Sequence, residues 1–174
     1  MPDSVWIMCC GEVGRHVAKL YQQDGVRAIG WVRTGHALRA GQAQGTSLRR
    51  GKFDASCYIP FYTHENAKVF WFAPPPARGE QDIRLRRFLS ATGGSLQRLV
   101  LLVRVGCGQA NARGKRYADA EAAAWEWAQQ HRRELVILRL ADCYNPCSAD
   151  RLATVCKYAM DEADHGSCHE VACV

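Results

Sequence analysis

Residues 5–32, VWIMCCGEVGRHVAKLYQQDGVRAIGWV, decide how the rest of the chain is read. VWIMCC (5–10) is a short apolar run of the kind a strand buried on both faces shows. Gly11-Glu12-Val13-Gly14 reads as a tight turn. RHVAKLYQQ (15–23) has helical spacing, with Val17, Leu20 and Tyr21 on one side and Arg15, Lys19 and Gln22 on the other. Asp24-Gly25 closes that helix, and RAIGWV (27–32) is a second strand. One strand–turn–helix–strand unit results.

The same alternation continues outward. Residues 36–43 suit a short helix, 46–54 are ambiguous, and 56–66, with Pro60 and no period, read as loop. AKVFWFA (67–73) is a third apolar strand, stopped by Pro74-Pro75-Pro76, which cannot continue a ladder. Residues 82–92 form an amphipathic helix closed by Gly93-Gly94, and RLVLLVRV (98–105) is a fourth strand. Residues 106–116 are glycine-rich and polar and read as loop. Residues 117–130 are rich in strong helix formers. ELVILRL (134–140) is a fifth strand, 149–163 a helix, and 168–174 a last short strand. Strands alternating with helices imply a three-layer α/β fold with a mostly parallel sheet covered on both faces.

Composition agrees with one folded domain over residues 1–174. The chain is 48% apolar and 23% charged, an ordinary globular mix. No apolar run reaches the roughly 20 residues of a membrane-spanning helix. No basic region precedes a long apolar stretch at the start, so the expected location is cytoplasmic. Lys and Arg number 23 against 17 Asp and Glu, a net charge of +6 that suits an anionic ligand. The cations are scattered, and the densest group, Arg84 to Arg87, sits in a helix, which argues against a nucleic-acid face. Nine Cys without an export signal read as reduced, mostly buried thiols.

The turn after the first strand carries chemistry. In a G-x-G-x-x-G turn the glycines permit the bend and let the backbone approach a diphosphate. The free amides and dipole of the following helix favour its charge. Here Cys9 holds the first position and Gly11 and Gly14 the second and third, so Gly11, Glu12, Val13 and Gly14 are the candidate diphosphate residues. Plain helix–strand packing is the alternative use of these glycines. No acid ends the second strand. Instead Arg33 and Thr34 follow it, and a guanidinium there suits the 2′-phosphate of NADP, with NAD the alternative.

On IMCCGEVGRHVAKL, GWVRT, VFWFAPPPARGEQDIRLRRFL, RLVLLVRVG and ELVILRLADCYNP, in that order, the chain resembles an atypical short-chain dehydrogenase/reductase of the NAD(P)-binding epimerase/dehydratase-like group. The resemblance spans roughly residues 5–174 with gaps. It implies a Rossmann-like fold and a nicotinamide dinucleotide partner, with Ala73 and Pro74 beside the adenine ribose and diphosphate. It also implies hydride transfer at a carbonyl or hydroxyl carbon of a small molecule that the sequence does not name. Such relatives carry a Tyr-x-x-x-Lys pair, whose Lys lowers the phenol's pKa. Here Tyr117 is followed four residues later by Glu121, and the nearest lysine, Lys115, lies two residues before it. Shifting the register puts Arg113 and Tyr117 at the two positions. Tyr117 and Lys115 are therefore the catalytic candidates of a site lacking the usual pair and the Ser/Thr near Val103 to Gly106. The C-terminal substrate portion is expected to be reduced or absent.

Two further readings stand beside this one. A non-enzymatic module could sense a nucleotide or offer the fold as an interaction surface. Alternatively Cys143, Cys147, Cys168 and His169 could converge on metal or redox chemistry, although no close Cys pair has zinc spacing and no metal site is assigned. His16 could contact a phosphate, with a surface position the default. Trp125 and Trp127, two apart, cannot share a helix face; one is expected buried and the other at a homodimer contact.

Overall fold

The computed structural model describes residues 4–52, 66–105, 111–141, 148–164 and 166–171. The first half holds β1 (Ser4–Met8), α1 (Glu12–Gln23), β2 (Arg27–Val32), α2 (Gly35–Ala43) and β3 (Leu48–Arg50). The second holds β4 (Ala67–Trp71), α3 (Ile83–Thr92), β5 (Leu96–Val105), α4 (Ala112–His131), β6 (Glu134–Ala141), α5 (Ala149–Asp161) and β7 (Ser167–Val171). The strands pair in parallel in the order β3-β2-β1-β4-β5-β6-β7. This is the α/β Rossmann-like fold, and its strand order reverses between β1 and β4. A crevice opens there, beyond the carboxyl ends of the strands.

Alternate residues of each strand build two cores. Trp6, Met8, Ile29, Trp31, Val69, Trp71, Leu99, Leu101 and Ile137 face α3 and α4. Val5, Ile7, Ala28, Phe70, Val100, Val136 and Leu138 face α1 and α5. Both sets are buried, which is why the strands read as unbroken apolar runs rather than as alternating ones. The aromatic weight sits on the first face, where Trp71 and Phe88 centroids lie 4.7 Å apart and Trp6 and Trp31 5.7 Å apart.

The placement of α5 departs from the usual rule of handedness. The connections through α3 and α4 run on one face as the sheet grows from β4 to β6. The step from β6 to β7 continues in the same direction, yet α5 packs on the opposite face beside α1. Its hand is therefore opposite to theirs, the rare left-handed crossover. The cause is coverage: α1 and α2 shield only the β1–β3 side of that face. Without Leu152, Ala153, Cys156, Ala159 and Met160, the side chains of Val100, Val136 and Leu138 would face water. Tyr21 of α1 donates to Asp161 at 2.7 Å, and Lys157 bridges Asp24 and Asp161 at 2.9 and 2.8 Å, locking the two helices together.

Several boundaries differ from the sequence reading. Residues 112–116, read as loop, are the first turn of α4, because the Asn111 side chain accepts from the Gly114 amide at 2.8 Å and starts the helix there. Residues 12–14, read as a turn, belong to α1. The ambiguous stretch supplies β3, a three-residue edge strand. Residues 56–65, 106–110 and 172–174 lie outside the described residues. Trp127 is buried and donates to the Gly93 carbonyl at 2.7 Å, while Trp125 is half-buried against the same core. Among the described residues no helix is long and apolar enough to cross a membrane.

Candidate functional site

β1 ends at Met8 because Cys9 takes a left-handed conformation, φ 60°. The first position of the glycine turn thus keeps the backbone that glycine favours, although a thiol-bearing residue fills it. The chain then tightens: the Gly11 amide donates to the Cys9 carbonyl at 2.7 Å, and the Cys10 amide to the Trp31 carbonyl at 2.8 Å. Left-handed backbone costs a non-glycine residue about 1–2 kcal/mol, and far more if it is β-branched. Cys9→Gly is therefore expected to leave the thermal midpoint unchanged or raise it, whereas Cys9→Val lowers stability by about 2 kcal/mol. Paired melting curves check this, and equal midpoints for the two variants would contradict it.

The three positions of the turn do different work. A Cβ on Gly11 would meet only the Cys9 carbonyl, at 4.0 Å, so the space before it is open. A Cβ on Gly14 would lie 3.0 Å from both Cys10 Sγ and Ile7 Cγ2, so this glycine lets α1 sit down on β1. Gly30 plays the same part from β2, where a Cβ would fall 2.6 Å from the same sulfur. Cys10 thus fills the gap that two glycines leave. Burial pushes its thiol up to about 12, which makes it a packing group and no nucleophile at neutral pH.

α1 differs from the other helices at its start. Thr34, Asp82, Asn111 and Ser148 each cap their helix with a side-chain oxygen, whereas Gly11 offers α1 none. The amides of Glu12, Val13 and Gly14 have no acceptor among the described residues. They lie at the floor of a cleft of about 510 Å³ that spans the carboxyl ends of β1, β4 and β5. Cys9 and the 11–14 turn form one side. Phe72, Ala73 and Pro74 follow β4 along another. Leu102 and Arg104 of β5, Arg113 and Tyr117 of α4, Leu140 of β6 and Leu152 of α5 complete it.

Seven of the residues singled out in the sequence therefore meet in one place: Gly11, Glu12, Val13, Gly14, Ala73, Pro74 and Tyr117. Three lie apart from them. Arg33 follows β2 on the adjoining edge, exposed. Thr34 is spent as the α2 cap, its hydroxyl accepting from Ala37 at 3.1 Å. Lys115 turns away to Glu80, 2.8 Å from its carboxylate, and that hydrogen bond holds the ammonium above the ordinary lysine value. Glu121, four residues after Tyr117, grips Arg139 of β6 through two bonds of 2.9 and 2.6 Å. Cys9, read as the odd first member of the turn, and Arg113, read in the shifted register, also line the cleft; sequence reasoning missed Leu102, Leu140 and Leu152, whose signal lies only in the strand ends and in the start of α5.

Of the possible Cys/His cluster, Cys168 is exposed on β7 and His169 contacts the Ser167 hydroxyl at 2.9 Å. Cys143 and Cys147 lie outside the described residues. No set of three His, Cys, Asp or Glu side chains gathers among the described residues. His16 of α1, half-buried, sits 2.5 Å from the exposed Asp150 of α5, a pair between helices.

No protein-family model matches the chain, and no curated protein matches it. Solved structures do. The chain is similar to the yeast methylglyoxal/isovaleraldehyde reductase Gre2 complexed with NADPH, with TM-score 0.74 and 16% identity over 97% of this chain and 75% of that one. It is also similar to ChuY, an anaerobilin reductase from Escherichia coli O157:H7, with TM-score 0.69 and 15% identity over 96% and 95%. WbmH from Bordetella bronchiseptica in complex with NAD+ follows at TM-score 0.70 and 15% identity, over 98% and 75%. At these identities the common property is the fold, which is the one used by NAD(P)-dependent reductases and epimerases.

Proposed function

We propose that this chain binds a nicotinamide dinucleotide across the cleft, favours NADP(H), and acts on a carbonyl or hydroxyl compound with a depleted acid–base site. The observation that carries the reading is the uncapped start of α1 beneath an open cleft. Three amides without an acceptor among the described residues, and the positive end of the helix, fit a diphosphate, and the open space before Gly11 gives its oxygens room to approach. Ala73 and Pro74 would flank the adenosine side.

The preference for NADP(H) rests on charge at the adjoining edge. Arg33 follows β2, and Arg50 and Lys52 stand beside it, since Arg50 pairs with Val32 and the Gly51 amide donates to the Val32 carbonyl at 3.0 Å. No Asp or Glu occurs between Asp24 and Asp54. A ribose diol would find no carboxylate there, while a 2′-phosphate would find several cations.

When bound, the nicotinamide supplies or accepts the hydride. Tyr117 places a phenol within the cleft as the proton donor. Lys115 is held by Glu80 and Glu121 by Arg139, so the phenol works without a neighbouring ammonium and turnover is slow. Titration of NADPH fluorescence with the purified chain tests the reading. Enhancement with NADPH is expected, with NADH about tenfold weaker and Arg33→Glu erasing the difference. No response at high micromolar protein would overturn it. The Glu121–Arg139 pair also favours a second reading, a nucleotide-responsive module without turnover. Tyr117-dependent reduction of any member of a small aldehyde panel would remove that one.

A further inference from the structure

Arg113 and Tyr117 sit four residues apart on α4 and so share one helix face, which lines the cleft. The guanidinium carbon lies 5.8 Å from the Tyr117 ring centroid, stacked over its face. Arg113 makes no ion pair among the described residues. Tyr117 is 9% exposed, and its hydroxyl makes no hydrogen bond among them either. The phenol is thus deeply set and still lines the cleft, beside the guanidinium. Arg113 lies one turn nearer the start of α4, and so nearer the mouth.

The surroundings sharpen the choice of ligand. Phe72, Leu102, Leu140 and Leu152 give the same cleft apolar walls. Of the other charged lining groups, Arg104 of β5 has an interaction of its own, and Glu12 lies at the far side, in the first turn of α1, so Arg113 is the cation beside the phenol. The Arg113 guanidinium attracts anions to the pair, and stacked on the ring it can hold a carboxylate through two bonds.

We infer that Arg113 and Tyr117 together recognise a small anionic carbonyl compound, an oxo or formyl acid, with the carboxylate on the guanidinium and the carbonyl oxygen on the phenol. The assignment rests on the dinucleotide reading of the cleft for the role of the carbonyl, and deepens it by naming the substrate class.

The probes are 4-formylbenzoate and its methyl ester, which differ in the anionic group alone. Calorimetry on the full chain, with and without saturating NADPH, measures both. The acid is expected to bind about tenfold more tightly than the ester, the effect of one charge-assisted contact at a partly exposed site. Arg113→Gln should erase that difference while leaving NADPH affinity within about twofold. Tyr117→Phe should weaken acid and ester alike. Equal binding of acid and ester, or no binding of either while NADPH binds, overturns the inference. So does an Arg113→Gln variant that loses NADPH and keeps its preference for the acid, since the guanidinium would then serve a dinucleotide phosphate. Loss of NADPH binding by the unaltered chain, with acid discrimination intact, would strike the dinucleotide reading instead.

Discussion

Replacing Gly14 with leucine is expected to remove the NADPH response while the chain still folds. A Cβ at this position already stands 3.0 Å from Ile7 Cγ2 and Cys10 Sγ, and both neighbours are buried. The leucine branch must push α1 outward, because Cys10 is pinned between Gly14 and Gly30 and cannot yield toward β2. Overpacking of this kind costs about 1–3 kcal/mol. The Glu12, Val13 and Gly14 amides move with the helix, and a shift of about an ångström spoils the geometry of a charge-assisted hydrogen bond. One such bond is worth roughly 2 kcal/mol, or about thirtyfold in affinity. NADPH titration, read beside a melting curve and far-ultraviolet circular dichroism, separates the two effects. A folded Gly14→Leu variant that binds NADPH like the unaltered chain would place the diphosphate elsewhere.

The same glycine shows how far the sequence could be read. Strand, glycine turn, helix and strand over residues 5–32 were visible because a parallel strand buried on both faces is a continuous apolar run and α1 is plainly amphipathic. The division of labour was not visible. Gly11 and Gly14 look alike as letters, yet one opens toward the cleft and the other packs helix on strand. Cys9 breaks the motif in the sequence and keeps it in the backbone, since φ 60° is a matter of conformation.

The candidate site was half legible for a related reason. Glycine and polar residues conceal the first turn of α4, so the sequence pattern puts Lys115 in a loop beside Tyr117. With the helix beginning at Ala112, a separation of two residues sends Lys115 to another face, where Glu80 holds it. The true start of the helix also puts Arg113 onto the Tyr117 face. The side of the sheet that α5 covers follows from packing between distant strands, which no local pattern records.

Arg98→Met is expected to cost about 3 kcal/mol, a drop of roughly 6–12 °C in the melting midpoint of a chain this size. Arg98 opens the long apolar run of β5 and pairs in register with Glu134, whose carboxylate its Nε meets at 2.7 Å. Its terminal nitrogen reaches beneath α5 and donates to the carbonyls of Ala159, Met160 and Ala163 at 3.3, 2.8 and 3.1 Å. A helix leaves its last carbonyls unpaired and carries partial negative charge there, so a buried cation satisfies both demands at once. Ala159, Met160 and Ala163 are buried, so water cannot readily take its place. Methionine preserves most of the volume and removes every donor, which isolates the capping role from packing. Glu134 is 39% exposed, so Glu134→Gln should cost under about 1 kcal/mol. That contrast decides the cause: equal losses for the two variants would assign the stability to the ion pair. A loss confined to Arg98→Met assigns it to the end of α5, the helix that brings Leu152 to the cleft and covers the β5 and β6 face.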